Sequence, residues 1–189
     1  MLDAAAAVFA QMGYDKARMD DVVETSGMTK GSVYFHFANK EALAVAVLTE
    51  KHASWLHQVR SRLAATPPGT ERLEALLPAM LGLHQEDPYA WAVARLTQNL
   101  SELPATRSLA AELTRRWIDD VAALVRDALP AAADPPVDPV EVATLLVGAF
   151  DGLKATVQVL ADDPGAAARQ LESGGALLMK MLRAVITPP

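Results

Sequence analysis

Apolar residues recur every three or four positions along most of this 189-residue chain, and no stretch alternates with period two over a convincing length. That spacing gives helices with one apolar face; it does not suit strands half-buried in a sheet. The fold class it predicts is all-α. Leu2, Ala5, Phe9 and Met12 share a face before Gly13 stops the first helix. DDVVETSG is a short helical piece closed by Gly27, and Thr29 is a cap for the next, with Val33 and Phe37 four apart. Asn39 caps a long helix from Lys40 to about Arg62. After TPPGT a helix capped by Thr70 runs to about Gln85, and Asp87–Pro88 opens another carrying Tyr89, Val93, Leu96 and Leu100. A longer helix from near Pro104 to Leu129 carries the stripe Leu113, Trp117, Val121 and Leu124. PAAADPPVDP is the clearest loop, and helices over 138–161 and 164–186 finish the chain, about nine in all. No repeat of solenoid period is present.

Composition narrows the chemistry. Hydrophobic residues make up 51% of the chain, enough for a buried core. There is no cysteine, which excludes disulfides, thiolate zinc sites and cysteine nucleophiles and fits a reducing cytoplasm. His36, His52, His57 and His84 form no H-x-x-x-H pair, so no metal or other cofactor is expected. The start lacks a positive n-region and Asp3 interrupts it, so it does not read as a signal peptide. No apolar run reaches membrane-spanning length. The expectation is a soluble cytoplasmic protein without a membrane partner. Its net charge of −6 argues against coating nucleic acid by bulk positive charge, but leaves room for a local contact patch.

Such a patch falls in TKGSVYFHF, residues 29–37, which holds three of the seven Phe and Tyr in the chain. Two short helices joined through a glycine turn, with a helix before and after, is helix-turn-helix geometry. Gly27 suits the turn because a residue there often needs positive φ. In such a motif the second helix lays its N-terminal residues against base edges in the major groove. Val33 and Phe37 can face the core, which leaves Lys30, Ser32, Tyr34, Phe35 and His36 on other faces. Gly31 removes bulk where backbone approaches DNA. Lys40 sits at a helix N-terminus, where free N–H groups already favour phosphate. By spacing alone, a small helical module in which the aromatics simply pack remains open.

The segment LDAAAAVFAQMGYDKARMDDVVETSGMTKGSVYFHFANKEAL resembles, without gaps, the DNA-binding domain of TetR-family transcriptional regulators. The resemblance implies that residues 1–45 form the helix-turn-helix domain and 46–189 a helical ligand-binding and dimerisation domain. It implies that Thr29 caps the recognition helix near a phosphate. Lys30, Ser32, Tyr34 and Phe35 occupy positions that touch bases or a thymine methyl. Tyr34, His36 and Lys40 match phosphate-contacting positions. Phosphate contacts fix register and base-edge contacts give sequence preference. For Phe35, packing against the fourth helix stays open.

Two departures from the family pattern matter. Arg18 stands where many members carry Ser or Thr as a helix cap; it can grip phosphate or simply be solvated. Members also usually begin with a basic arm and a longer first helix. Residues 1–50 hold four Lys/Arg against seven Asp/Glu. Either the numbered chain lacks part of its start, or it binds DNA with a weak electrostatic term and a shallow salt dependence.

Beyond residue 50 the resemblance is architectural. Glycine inside a helix costs about 1 kcal/mol relative to alanine, and close helix approach is one compensation. Leu145, Gly148, Ala149, Gly152, Leu171, Gly174, Leu178 and Leu182 are therefore expected in a two-fold four-helix homodimer interface, with intrachain packing as the alternative. A dimer spaces two recognition helices about 34–36 Å apart to read a pseudo-palindromic operator in double-stranded DNA. Met80, Leu83, Trp91, Trp117 and Phe150, with His84, Arg95 and Gln98 as polar groups, are candidates for a pocket for a small-molecule effector; ordinary core is the alternative. ARLTQNLSE, RRWIDDVAALVRDAL and VATLLVGAFDGLKATVQVL also resemble the γ-butyrolactone receptor branch, which implies that Trp117 lines the pocket.

The function this predicts is a ligand-responsive transcriptional regulator and not an enzyme, most simply a repressor released from its operator by a small apolar or amphipathic molecule. One alternative is a ligand-binding pseudo-regulator with lost or weak DNA binding. A remote one is an all-helical magnesium-dependent isoprenoid enzyme, suggested by DDVVE at 20–24 and by Asp119-Asp120. Asp21 is more simply an acidic residue at a helix N-terminus.

Overall fold

The computed structural model describes residues 1–86, 96–97, 99–102, 106–129 and 137–186. Among these residues the chain is all-α, with no strand. Eight helices are defined: α1 (Leu2–Lys16), α2 (Met19–Ser26), α3 (Lys30–His36), α4 (Lys40–Leu63), α5 (Thr70–Glu86), α6 (Arg107–Ala128), α7 (Pro139–Leu160) and α8 (Pro164–Ile186). Residues 96–97 and 99–102 are also helical, part of the segment expected from Asp87 onward; Tyr89, Val93 and Pro104 lie outside the described residues.

The local signals explain most boundaries. Gly13 breaks α1 with φ 76° and ψ 160°, a conformation side-chain-bearing residues rarely adopt. Gly27 ends α2 in the left-handed region, φ 66° and ψ 10°. Thr29 Oγ1 accepts from the Ser32 N–H at 3.2 Å, Asn39 Oδ1 from Ala42 N–H at 2.8 Å, and Asp138 Oδ1 from Val140 N–H at 2.8 Å. Each satisfies a donor that a helix start leaves orphaned. Thr70 falls just inside α5 rather than at its cap.

The chain packs as two compact units. The first contains Met1–His57 and Glu86–Thr114, so packing groups the chain differently from a cut after residue 45. Its core is built from Ala5, Phe9, Val22, Val33, Leu43 and Val47, joined by Leu96, Leu100 and Leu113. The buried Thr106 donates its hydroxyl to the Leu100 carbonyl at 2.6 Å, so it needs no water.

The second unit contains Gln58–Gln85 and Arg115–Pro189. Val59, Leu73, Leu83, Val121, Phe150 and Leu171 are among its buried side chains. Helices α7 and α8 approach closely at Gly174, where an added Cβ would come within 2.7 Å of the Leu153 side chain. Arg60 pairs with Asp120 at 2.6 Å, and Arg183 pairs with Glu74.

The structure divides the eight residues expected at a dimer interface. Leu145, Gly148, Ala149 and Gly152 lie exposed on one side of α7, and an added Cβ at either glycine meets nothing within 4 Å. Leu171 and Leu182, by contrast, are buried within their own chain, and Gly174 is closed by Leu153. Leu178 is half-buried. On α8 the intrachain alternative holds for Leu171, Gly174 and Leu182. Among the described residues of that helix the large exposed apolar side chains are Leu177 and Met181, one position round.

Candidate nucleic-acid interface

The site is α3 and the turn before it. A seven-residue helix has room for one buried anchor, and Val33 supplies it with 0% exposure. Phe37, four residues on, packs half-buried against the same core. Because successive side chains turn by about 100°, anchoring Val33 and Phe37 sends Tyr34, Phe35 and His36 outward.

Tyr34 is 42% exposed and Phe35 85% exposed. Phe35 therefore does not pack against α4. Burying such a ring is worth about 1.5–3 kcal/mol, a gain this position forgoes in the isolated chain. Phe35 meets the exposed His36 edge-on, with ring centroids 5.3 Å apart. The Lys30 ammonium lies 5.8 Å from the Tyr34 ring centre. Thr29 and Gly31 are exposed, nothing crowds an added Cβ at Gly31, and Ser32 is half-buried. The outer face of α3 thus gathers hydroxyls, one ammonium, an imidazole and a largely exposed aromatic ring.

Two cations have partners the sequence did not reveal. Lys40 Nζ donates to the backbone carbonyls of Tyr14 at 2.7 Å and Asp15 at 3.2 Å, and sits 4.4 Å from the Tyr14 ring centre. It ties α4 to the end of α1, which leaves its third N–H for any further acceptor. Lys30 Nζ lies 2.8 Å from Asp20 Oδ1, both side chains being largely exposed, and this hydrogen bond raises the lysine pKa above its ordinary 10.5. Arg18 is exposed, and its side chain forms no ion pair among the described residues. The backbone N–H of Arg18 donates to Asp21 Oδ2 at 2.7 Å. A guanidinium has no acceptor, so only this half of a capping box exists.

The residues expected to line an effector pocket are placed less openly. Met80, Leu83, Trp117 and Phe150 are buried interior side chains of the second unit. His84 is half-buried, with Nδ1 2.9 Å from the Met80 carbonyl and its ring 6.1 Å edge-on from Phe150. Trp91, Arg95 and Gln98 lie outside the described residues. A groove of about 680 Å³ does open in this unit, between α5 and α8, but its walls are other residues, Leu77, Pro78, Leu81, Gly175 and Met179 among them. Lys154, which sequence reasoning passed over, is a buried cation paired with Asp151 at 2.6 Å and lying 5.1 Å from the Phe150 ring centre. Among the described residues no helix is long and apolar enough to cross a membrane, and no three His, Cys, Asp or Glu gather as a metal site.

This geometry coincides with what the chain is similar to. Bacterial regulatory proteins of the tetR family match residues 1–47, and the C-terminal region of BetI-type transcriptional repressors matches residues 68–187. The chain belongs to the TetR family of bacterial transcriptional regulators. It is 45% identical over 51 residues to the A-factor receptor protein of Streptomyces griseus, covering 27% of this chain and 18% of that protein. It is 33% identical over 87 residues to the transcriptional activator FasR of Mycolicibacterium smegmatis, covering 46% of this chain and 40% of that one. Both matches span less than two thirds of the relative. A solved structure concerned with the control of antibiotic production by bacterial hormones superposes with a TM-score of 0.76 at 29% identity, covering 98% of this chain and 94% of the other.

Proposed function

We propose that this protein is a ligand-responsive DNA-binding regulator, a repressor that leaves a pseudo-palindromic operator when a small apolar or amphipathic molecule binds. The observation that carries this reading is the outer face of α3, where Tyr34 and Phe35 are exposed while Val33 is wholly buried. Hydroxyl and ammonium donors suit phosphate oxygens, and an exposed aromatic ring suits a thymine methyl. Thr29, Lys30, Ser32, Tyr34, Phe35 and His36 are assigned to that contact, with Arg18 and the remaining donor of Lys40 at its edge.

The protein acts as a homodimer through the exposed apolar side of α7 and α8, centred on Leu145, Gly148, Gly152 and Leu177. The effector binds among Met80, Leu83, Trp117 and Phe150, and its entry has to repack side chains that are buried without it. By linkage, it must bind the DNA-free form more tightly than the DNA-bound form. Similarity to the A-factor receptor protein, and to a solved structure concerned with the control of antibiotic production by bacterial hormones, supports a diffusible signalling molecule as effector. DDVVE needs no catalytic account, because Asp21 caps α2 and Asp20 pairs with Lys30. The protein is a cytoplasmic regulator and not an enzyme on this reading.

The pseudo-regulator reading draws on the same structure, since both Lys30 and Lys40 already have partners within the helix-turn-helix head, residues 1–45. Fluorescence anisotropy of a duplex from upstream of the gene separates the two. The repressor reading expects saturable, salt-sensitive binding that beats a scrambled duplex. Binding indistinguishable between the two duplexes leaves the pseudo-regulator.

A further inference from the structure

The acidic pair at the start of α2 does two separate jobs, and only one of them concerns folding. Asp21 turns back to the Arg18 N–H and closes the helix start. Asp20 points to the neighbouring helix and reaches Lys30 at 2.8 Å. That lysine is the first residue of α3 and the cation on the face assigned to DNA. Both partners are largely exposed, so solvent screens the pair and it adds little to folding. Its consequence is for the charge of the surface. It places a carboxylate beside the ammonium that must meet a polyanion.

We propose that Asp20 is an electrostatic brake on DNA binding: it neutralises Lys30 by holding its ammonium in an ion pair, away from phosphate, so that operator affinity is set below what α3 alone would give. A carboxylate beside an arginine can instead orient the planar fork for bidentate recognition. Lysine offers a compact point charge with three rotatable donors, so orientation gains it little and neutralisation dominates. The face has few cations beside Lys30: Arg18 and Lys40 lie at its edge, and Lys40 gives two of its three donors to the Tyr14 and Asp15 carbonyls. One carboxylate therefore weighs more here than on a basic DNA-binding head. This account rests on α3 being the DNA-contacting helix.

The test is a double-mutant cycle of Asp20→Asn and Lys30→Gln, read by anisotropy over a salt series on the upstream duplex and on a mixed-sequence duplex of equal length. Thermal unfolding of each variant checks the fold. Asp20→Asn is expected to bind both duplexes roughly three- to tenfold more tightly, with a salt slope steeper by up to about 0.9. In the Lys30→Gln background most of that gain disappears, which a purely structural role of Asp20 would not produce. Unchanged or weaker binding by a folded Asp20→Asn variant overturns the brake, as does an equal gain in both backgrounds. Failure of the repressor reading looks different: there wild type and variants alike show no preference for the upstream duplex.

Discussion

Among the described residues, the outer face of α3 and one side of α7 and α8 both leave apolar side chains in solvent, and the two surfaces are chemically unlike. On α3 the exposed Tyr34 and Phe35 are interleaved with Thr29, Lys30 and His36, so every apolar group has a hydrogen-bonding neighbour. On α7 and α8 the exposed Leu145, Val159, Leu177 and Met181 stand among Gly148, Ala149, Gly152 and Ala176. The first surface suits a partner that carries both charge and methyl groups. The second offers area and close approach with few donors, which suits another helix of the same kind. The head needs no partner to close its core; the α7–α8 pair leaves an apolar side that one chain does not cover.

The largest effect that would break this contrast is on assembly. Leu145→Asp combined with Leu177→Asp places unpaired charges where the second chain should pack, and taking each carboxylate out of water without a partner costs several kcal/mol. Sedimentation equilibrium is expected to show wild-type dimers and variant monomers at the same concentration. An unchanged mass would remove this surface from the interface.

Next comes the contrast between the inside and outside of the head. Leu43→Ala should lower unfolding free energy by about 2–5 kcal/mol, because Leu43 is fully buried. Phe35→Ala should leave denaturant unfolding within about 0.5 kcal/mol of wild type while cutting operator binding. Loss of stability in the Phe35 variant would make that ring a packing residue. A smaller effect is expected at the cap: Thr29→Ala removes the acceptor for the Ser32 N–H and should cost about 1 kcal/mol, seen in chemical denaturation.

The smallest concerns pH. Burial first, then Glu41 and Asp15, raises the Tyr14 hydroxyl above its ordinary 10.0. The unfolded chain therefore loses this proton before the folded one does. The contribution is fully present below pH 10.0 and is lost as pH rises through the raised folded value. Tyr14→Phe should flatten that alkaline decline in thermal stability.

How legible each part was follows from where its signals reside. Caps and turns are local, so Gly13, Gly27, Thr29 and Asn39 announced the head almost residue by residue. The family pattern in TKGSVYFHF then named its outer face. Side chains that reach between helices were not readable: nothing in the spacing of Asp20 and Lys30, or of Tyr14 and Lys40, sets their distance. On α8 the difficulty was one of angle. Its apolar residues spread round the helix from Leu171 to Leu177, Leu178, Met181 and Leu182, so the pattern did not distinguish the side facing α7 from the side facing out. The same holds for the effector site, where Met80, Leu83 and Phe150 read equally well as core.

The proposed function stands or falls on α3 as the helix that reads DNA. It is tested most directly by titrating wild type and Tyr34→Ala against the upstream duplex, with denaturant unfolding as the control on fold. A salt-sensitive wild-type isotherm that exceeds a scrambled duplex is expected, with a roughly tenfold or larger loss in Tyr34→Ala and unfolding unchanged. Equal binding by the two proteins, or loss of stability in step with loss of binding, would contradict it.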